Sequence, residues 1–354
     1  MTYPDPSFAH LLALSDEHGL CEHARGPLPA WEHGYCTDDV ARGLVVVLRE
    51  PGLARPLRRL ERVYLGFLVR AQLPDGRFHN RVSQGPERRF LDTVGSDDAN
   101  GRAVWALGVA ARRATSVKRR ALALECFERG TGFRSPSPRA NAAAVLGAVE
   151  VLAVDPGNAA ARALLGEARH RLGHLSAGPG WIWPESRLAY DNARLPEAMI
   201  AAGVALDDRA LLDEGLAALG WLVEVETRGD HLSPVPASGW APGEPRPAFD
   251  QQPIEAGAIA DACRRAFEAT GAACWADACL RAGAWFLGAN DVGVSLFDPV
   301  SGGCCDGLER DGRNENQGAE STLALISALQ DVRAVQAARS AARTGAISTV
   351  AAPT

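Results

Sequence analysis

Along the 354-residue chain, clusters of carboxylates and amides recur just ahead of apolar, Ala/Leu-rich stretches. They are Cys36-Thr37-Asp38-Asp39, Gly95-Ser96-Asp97-Asp98-Ala99-Asn100, Tyr190-Asp191-Asn192-Ala193-Arg194, Phe249-Asp250-Gln251-Gln252 and Asn314-Glu315-Asn316-Gln317. At one helix start an Asp-Asp pair is ordinary. Thr37 is a good N-cap, and acids in a first helical turn are stabilised by the helix dipole by about 0.3–1 kcal/mol. A second pair at the equivalent place exceeds what capping requires, and adjacent carboxylates facing one cavity repel each other. Asp38, Asp39, Asp97 and Asp98 are therefore candidate catalytic residues. Neighbouring acids in a partly closed cavity push their pKa values apart, so that one can hold a proton while the other stays ionised. Cleavage of a glycosidic bond needs that division of labour.

A second group pairs amides with glutamates. Gln252-Pro253-Ile254-Glu255 and Gln317-Gly318-Ala319-Glu320 share an amide–x–x–Glu spacing, and Tyr190–Glu197 is a looser version. The spacing matches a capping box, in which the glutamate returns to the N-cap amide. The alternative is that Glu255 and Glu320 add to the catalytic candidates, while Asp191, Arg194, Glu197, Asp250, Gln251, Asn316 and Gln317 bind hydroxyls. Vicinal hydroxyls want bidentate acceptors and amide donors, whereas a phosphate would want clustered Arg/Lys and glycine-rich turns. The aromatics Tyr35, Trp183, Tyr190 and Trp240 fall in loops or beside helix starts, as do Trp31 and Trp181, and read either as loop anchors or as stacking platforms. His33 and His79 sit in the same regions. Each is a substrate-binding candidate and, in a proton-abstraction chemistry, a possible acid/base; His231 is a third. The vicinal Cys304-Cys305 has no companion Cys-x-x-Cys, and Asp306 and Asp311 give only a weak calcium signal, so no metal and no cofactor are expected.

These side chains need a scaffold that gathers helix starts. Six segments of helical periodicity follow polar clusters: 38–49, 97–113, 138–153, 191–206, 251–269 and 317–330. Six more lie between them: 7–15, 56–72, 117–129, 158–174, 208–226 and 272–289. The first set is small and apolar nearly all round, the second carries charged stripes. Such alternation predicts an inner ring of buried helices wrapped by an outer ring facing water. The fold class expected is all-α, a closed (α/α)6 barrel of six inner and six outer helices. An open solenoid would need polar capping repeats, which are not evident. Turn-rich connections (Leu73–His79, Pro179–Glu185, Leu232–Trp240 and Leu296–Gly303) carry short β-like pieces and all precede inner helices, so they should crowd one rim. One domain, 1–333, is expected, followed by a low-complexity tail, 334–354, expected to fray.

Composition limits the partners. Net charge is −6 with no basic block, which argues against nucleic acid. Mean hydropathy is near zero, and no long apolar run suggests a membrane span. Residues 1–15 lack a basic start followed by an apolar core, and the eight scattered cysteines read as reduced thiols, so a cytoplasmic protein is expected. Oligomeric state has no sequence signal.

The ring of helix pairs, the acidic inner-helix starts and the aromatic loops resemble the six-hairpin glycosidase superfamily. Thr37-Asp38-Asp39 and Ser96-Asp97-Asp98, with Trp105 on the helix after the second pair, are similar to the Asp-Asp pair of endo-α-1,6-mannanase-type hydrolases. Gly34–Asp39 and Asn314–Ser321 resemble a bacterial carbohydrate-utilisation group, some of whose members are labelled glycosyltransferase. The resemblance implies a glycoside hydrolase acting on short oligosaccharides, with mannosides as one substrate class. Epimerases on this barrel use a histidine pair, so a sugar epimerase or isomerase is the alternative, and a non-catalytic carbohydrate-binding protein the third.

Overall fold

The computed structural model describes residues 2–85, 87–175 and 180–350, with side chains through Arg343. Pro179, at the start of one predicted rim loop, and the last four residues of the predicted tail lie outside the described residues.

The inner ring consists of α2 (Thr37–Arg49), α4 (Asp97–Arg113), α6 (Pro138–Leu152), α9 (Arg194–Leu206), α11 (Pro253–Thr270) and α13 (Ala319–Val350). Each packs on the next, and α13 packs back on α2, so the ring is closed. The outer helices are α1 (Ala9–Ala13), α3 (Arg55–Ala71), α5 (Val117–Gly130), the broken pair α7 (Ala159–Gly166) and α8 (Ala168–Leu172), α10 (Arg209–Val225) and α12 (Ala273–Trp285). The protein is an all-α (α/α)6 toroid.

Small residues let the inner helices touch backbone to backbone. A Cβ on Gly101 would lie 2.2 Å from the Ala140 carbonyl oxygen, and one on Gly108 equally close to that of Gly147. Hence α4 and α6 can pack at this distance only where they lack side chains. The seam between first and last inner helices is polar as well as apolar. Gln330 Nε2 donates to the Val46 carbonyl at 2.9 Å, and Arg333 holds Glu50 at 2.7 and 3.0 Å.

Among the described residues the rim loops form four two-stranded antiparallel ribbons. They are β1 (Ala24–Arg25) with β2 (Leu28–Pro29), β3 (Tyr35–Cys36) with β4 (Arg81–Val82), β5 (Thr227–Arg228) with β6 (His231–Leu232), and β7 (Gly307–Glu309) with β8 (Gly312–Asn314). The β3–β4 pairing, Tyr35 opposite Val82 and Cys36 opposite Arg81, fixes the entry to α2.

Two expectations change. The segment from Ala334 does not fray at once: it continues α13, with Val335 in the core and Arg339 paired to Asp277 at 2.6 Å. Thr37 is not the N-cap of α2. Cys36 is, through its sulfur, and Thr37 sits in the first turn with its hydroxyl donating to the His79 carbonyl.

Candidate active site

The starts of the inner helices meet at one mouth, where arginines from within the helices bind carboxylates from neighbouring helix starts. Arg102, one turn into α4, holds Asp38 of α2 at 2.7 and 2.6 Å and Asp191, ahead of α9, at 3.0 Å. Arg42, one turn into α2, reaches Asp38 at 3.1 Å, Asp39 at 2.9 Å and Glu320 of α13 at 2.7 Å. Deeper, Arg194 lies 3.4 Å from Asp191, pairs with Glu197 and reaches Asp261 at 3.1 Å, and Arg49 closes on Asp261 at 2.6 Å. A column of alternating charges thus runs along the barrel axis. It leaves a void of about 40 Å³ beside Trp105, room for water but not for a sugar ring.

Above the column opens a polar pocket of about 290 Å³. Its walls carry Asp38, Asp39, Arg42 and Glu320, together with Glu22, His23, Asn80, Arg81, Gln252 and Asp306. The carboxyls here are electrostatically unlike. Burial pushes Asp38 upward, but the guanidiniums of Arg102 and Arg42 outweigh it and hold the carboxyl below its usual range. Burial pushes Asp39 up to about 7, opposed by Arg42 and reinforced by Asp38 and Glu320. Asp98 is also raised by burial, with Arg102 and the hydroxyl of Tyr190 pulling the other way and Asp38 adding to the rise. One acid is therefore kept ionised among neighbours that favour a proton. Asp39 is nearly enclosed, its oxygens engaged by Arg42 and by the Cys36 thiol at 3.1 Å. Asp98 is half-buried and accepts from the Tyr190 hydroxyl, and Arg139 lies over that tyrosine ring at 5.1 Å.

The remaining sequence candidates divide by what they touch. Asp97 turns aside to accept from Ser135 at 2.7 Å. Glu255 makes no capping box; it crosses to the turn before α9, accepting from the backbone amide of Asp191 and, at 3.2 Å each, from the amide and side chain of Asn192. Burial, then the charges of Glu226 and Asp191, push its carboxyl up to about 8. Asp191 and Arg194 belong to the charged column, and Glu197 is fully buried between Arg194 and Arg265.

Several expected sugar contacts are internal struts. Tyr35 is buried and donates to Asp16 at 2.6 Å. Trp183 is fully enclosed against Trp221, and Trp240 packs on Trp181 and donates to the Glu244 carbonyl at 2.9 Å. Gln251 is buried between Trp285 and Asp291, and Gln317 between Ser301 and Asp298. Asn316 accepts from the Gly26 amide at 3.0 Å, and Asp250 is exposed. His79 is fixed by Asp92 at 2.8 and 3.2 Å and stacks on Phe90, whereas His33 is exposed, edge-on to His23. Among the aromatic candidates Tyr190 is the most exposed, at 36%.

The principal omission from the sequence reading is the pair Arg42 and Arg102. Asp38/Arg42 and Asp98/Arg102 share an i,i+4 spacing that could have drawn attention to it, although such pairs usually mark a solvent face. The possible metal ligands Glu22, Cys36 and Asp39 lie within 4.8 Å of one another. Glu22, however, is held by Arg81 at 2.8 Å and Asp39 by Arg42, and burial pushes the Cys36 thiol up, so the set reads as an ion-pair cluster. The Cys304 and Cys305 thiols are buried and raised likewise.

The closed helical toroid is a fold that solved enzymes share. A sugar epimerase from a ruminal bacterium superposes with a TM-score of 0.68 at 11% identity, covering 92% of this chain and 95% of that one. A D-mannose isomerase gives 0.68 at 11%, covering 92% and 94%. The cellulase Cel9M of C. cellulolyticum gives 0.63 at 8%, covering 90% and 87%. At these identities the likeness is one of fold. No sequence family matches this chain, and no curated protein matches it in sequence.

Proposed function

We propose that the protein is a carbohydrate-directed enzyme, a glycoside hydrolase acting on short oligosaccharides at the 290 Å³ mouth. The observation that carries this reading is the convergence of Asp38, Asp39 and Glu320 on Arg42, with Arg102 also holding Asp38 below its usual range, while burial raises the neighbouring Asp98. Asp38 serves as base or nucleophile, Asp98 protonates the leaving oxygen, and Glu320, with its side chain 41% exposed, binds hydroxyls beside them. Mannose-containing oligosaccharides head the substrate panel because of the Asp-Asp resemblance, and a cytoplasmic location fits imported short glycans. The test is release of reducing ends from that panel, followed by ¹H NMR of the first anomer formed. Asp38→Asn and Asp98→Asn are each expected to lower kcat by about 10²–10⁴-fold. Unchanged activity in Asp38→Asn would sink the assignment.

A second reading, sugar epimerisation or isomerisation, is favoured by His23, which lines the same pocket with His33 against it. Run in D₂O, the same panel separates the two. Epimerisation leaves the glycosidic bond whole and places solvent deuterium next to the carbonyl, and His23→Gln abolishes it while Asp38→Asn does not. Stabilisation by a sugar without either reaction would indicate a binding protein.

A further inference from the structure

The opposite end of the barrel, where the inner helices finish, holds a second cavity of about 340 Å³. Four arginines line it: Arg49 of α2, Arg113 of α4, Arg264 of α11 and Arg333 of α13. Three have close carboxylate partners: Arg49 has Asp261 at 2.6 Å, Arg264 has Asp331 at 2.5 Å, and Arg333 has Glu50 at 2.7 Å. Arg113 does not. Its nearest carboxylate, Glu150, lies 3.8 Å away and is already bonded to Arg112 at 3.0 Å. Two guanidiniums thus share one carboxylate at the cavity wall. Burial holds Arg113 below its usual range despite Glu150, and the positive charges of Arg112, Arg49 and Arg264 add to the effect. Burial and the facing Asp261 push the Asp331 carboxyl well above its ordinary range, with Arg264 and Arg49 pulling the other way.

A separate observation concerns Gln330 on the same wall. Its Nε2 donates both to the Val46 carbonyl at 2.9 Å and to Glu50 at 3.0 Å, which fixes the amide's orientation. Its Oε1 is then buried with no hydrogen-bond partner among the described residues. A buried acceptor left without a donor is costly, so a ligand hydroxyl there would be favoured.

We propose that this far cavity binds a small phosphorylated polyol, its phosphoryl group held at Arg113 and its hydroxyls donating to Gln330. The site is independent of the chemistry at the other mouth. An arginine with a distant, shared counter-ion gains most from a phosphoryl oxygen, since charge-assisted hydrogen bonds to guanidinium are strong and geometrically specific. The volume exceeds what a bare phosphate needs and matches the 290 Å³ of the sugar-sized pocket opposite.

Calorimetric titration of the full chain, at fixed ionic strength, with inorganic phosphate, glucose 6-phosphate and glucose tests this. Glucose 6-phosphate should bind at one site, more tightly than phosphate, and glucose should not respond to changes at this end. Arg113→Gln should weaken both anions by about tenfold or more. Glu150→Gln should tighten both by several-fold, because it removes the carboxylate competing for Arg112 and Arg113; a merely structural role for these residues does not give opposite signs. Circular dichroism establishes that both variants are folded, and Gln330→Leu supplies a third, uncharged probe that should weaken only glucose 6-phosphate. Absence of saturable binding by either anion overturns the proposal, as does binding indifferent to both charge variants. Equal affinity for phosphate and glucose 6-phosphate overturns the polyol part.

Discussion

Asp38 and Asp98 stand at the starts of neighbouring helices, and arginine makes them unlike. Arg102 grips Asp38 with two contacts, whereas Asp98 receives a tyrosine hydroxyl and only part of Arg102's field. Removing that hydroxyl separates the two acids further. The Tyr190 hydrogen bond favours the ionised form of Asp98, so Tyr190→Phe raises the carboxyl's pKa. A proton donor with a higher pKa stays competent to higher pH. With Asp98 as the proposed donor and Asp38 as the proposed base or nucleophile, the basic limb of kcat/KM should therefore move to higher pH by less than about one unit while the acidic limb stays in place. A pH–rate profile on the best substrate of the panel reads both limbs, and a shift of the basic limb to lower pH would assign the proton donor elsewhere. The recurring Asp-Asp pair drew attention in the sequence because it exceeded what capping needs, and the structure places Asp38, Asp39 and Asp98 close to Arg42 and Arg102 while Asp97 turns to Ser135. The arginines drew none, because i,i+4 acid–base spacing is the ordinary dress of a solvent-facing helix, and only closure of the ring turns Arg42 and Arg102 inward.

At the scale of elements, each of the twelve stretches read from helix periodicity meets a helix, although 158–174 is broken into α7 and α8 and α13 runs on past 330. Their starts were less legible. Asp191 adopts a left-handed backbone (φ 47°) in a turn before α9, and Gln251 and Gln317 likewise precede their helices, so residues read as first-turn groups became loop fasteners. The aromatic loops misled for a related reason: tryptophans that anchor rim loops to outer helices look the same in sequence as stacking platforms. Glu255 shows how a buried acid can hold two elements together. It binds its proton more tightly in the folded chain than in the unfolded one, so this group's contribution is fully present below the unfolded value of about 4.3 and is lost as pH rises. The loss is complete above the folded value of about 8. Glu255→Gln mimics the protonated acid. Its urea midpoint should fall less steeply than the parent's between about pH 4.5 and pH 8, and parallel curves over that range would exclude Glu255 as the source of the slope. The backbone contact between α4 and α6 makes a second element-scale claim. Gly108→Ala drives a methyl against the Gly147 carbonyl and should lower stability by about 1–3 kcal/mol with helix content unchanged. A urea midpoint equal to the parent's would mean that the helices part without cost.

For the whole molecule the decisive property is closure. In an open solenoid each repeat contacts only its neighbours, so deleting the last one leaves the rest folded. Here α13 has two inner neighbours, α11 and α2, and its loss would uncover both. Leu323, Leu325, Ile326 and Leu329 are all buried on it. At about 1.5–3 kcal/mol for each buried aliphatic side chain, these four alone represent about 6–12 kcal/mol, comparable with the whole stability of a typical domain at about 5–15 kcal/mol. Arg42 and Arg49 would also lose Glu320 and Ser327, leaving two guanidiniums of the axial column short of partners. A chain ending at Gly318 should therefore lack a cooperative urea transition and run expanded on gel filtration, even though all the other inner helices remain. Retention of a sharp transition in that fragment, with only a proportionate loss of helical signal, would mean that stability propagates repeat by repeat and that the seam between α2 and α13 is an incidental contact.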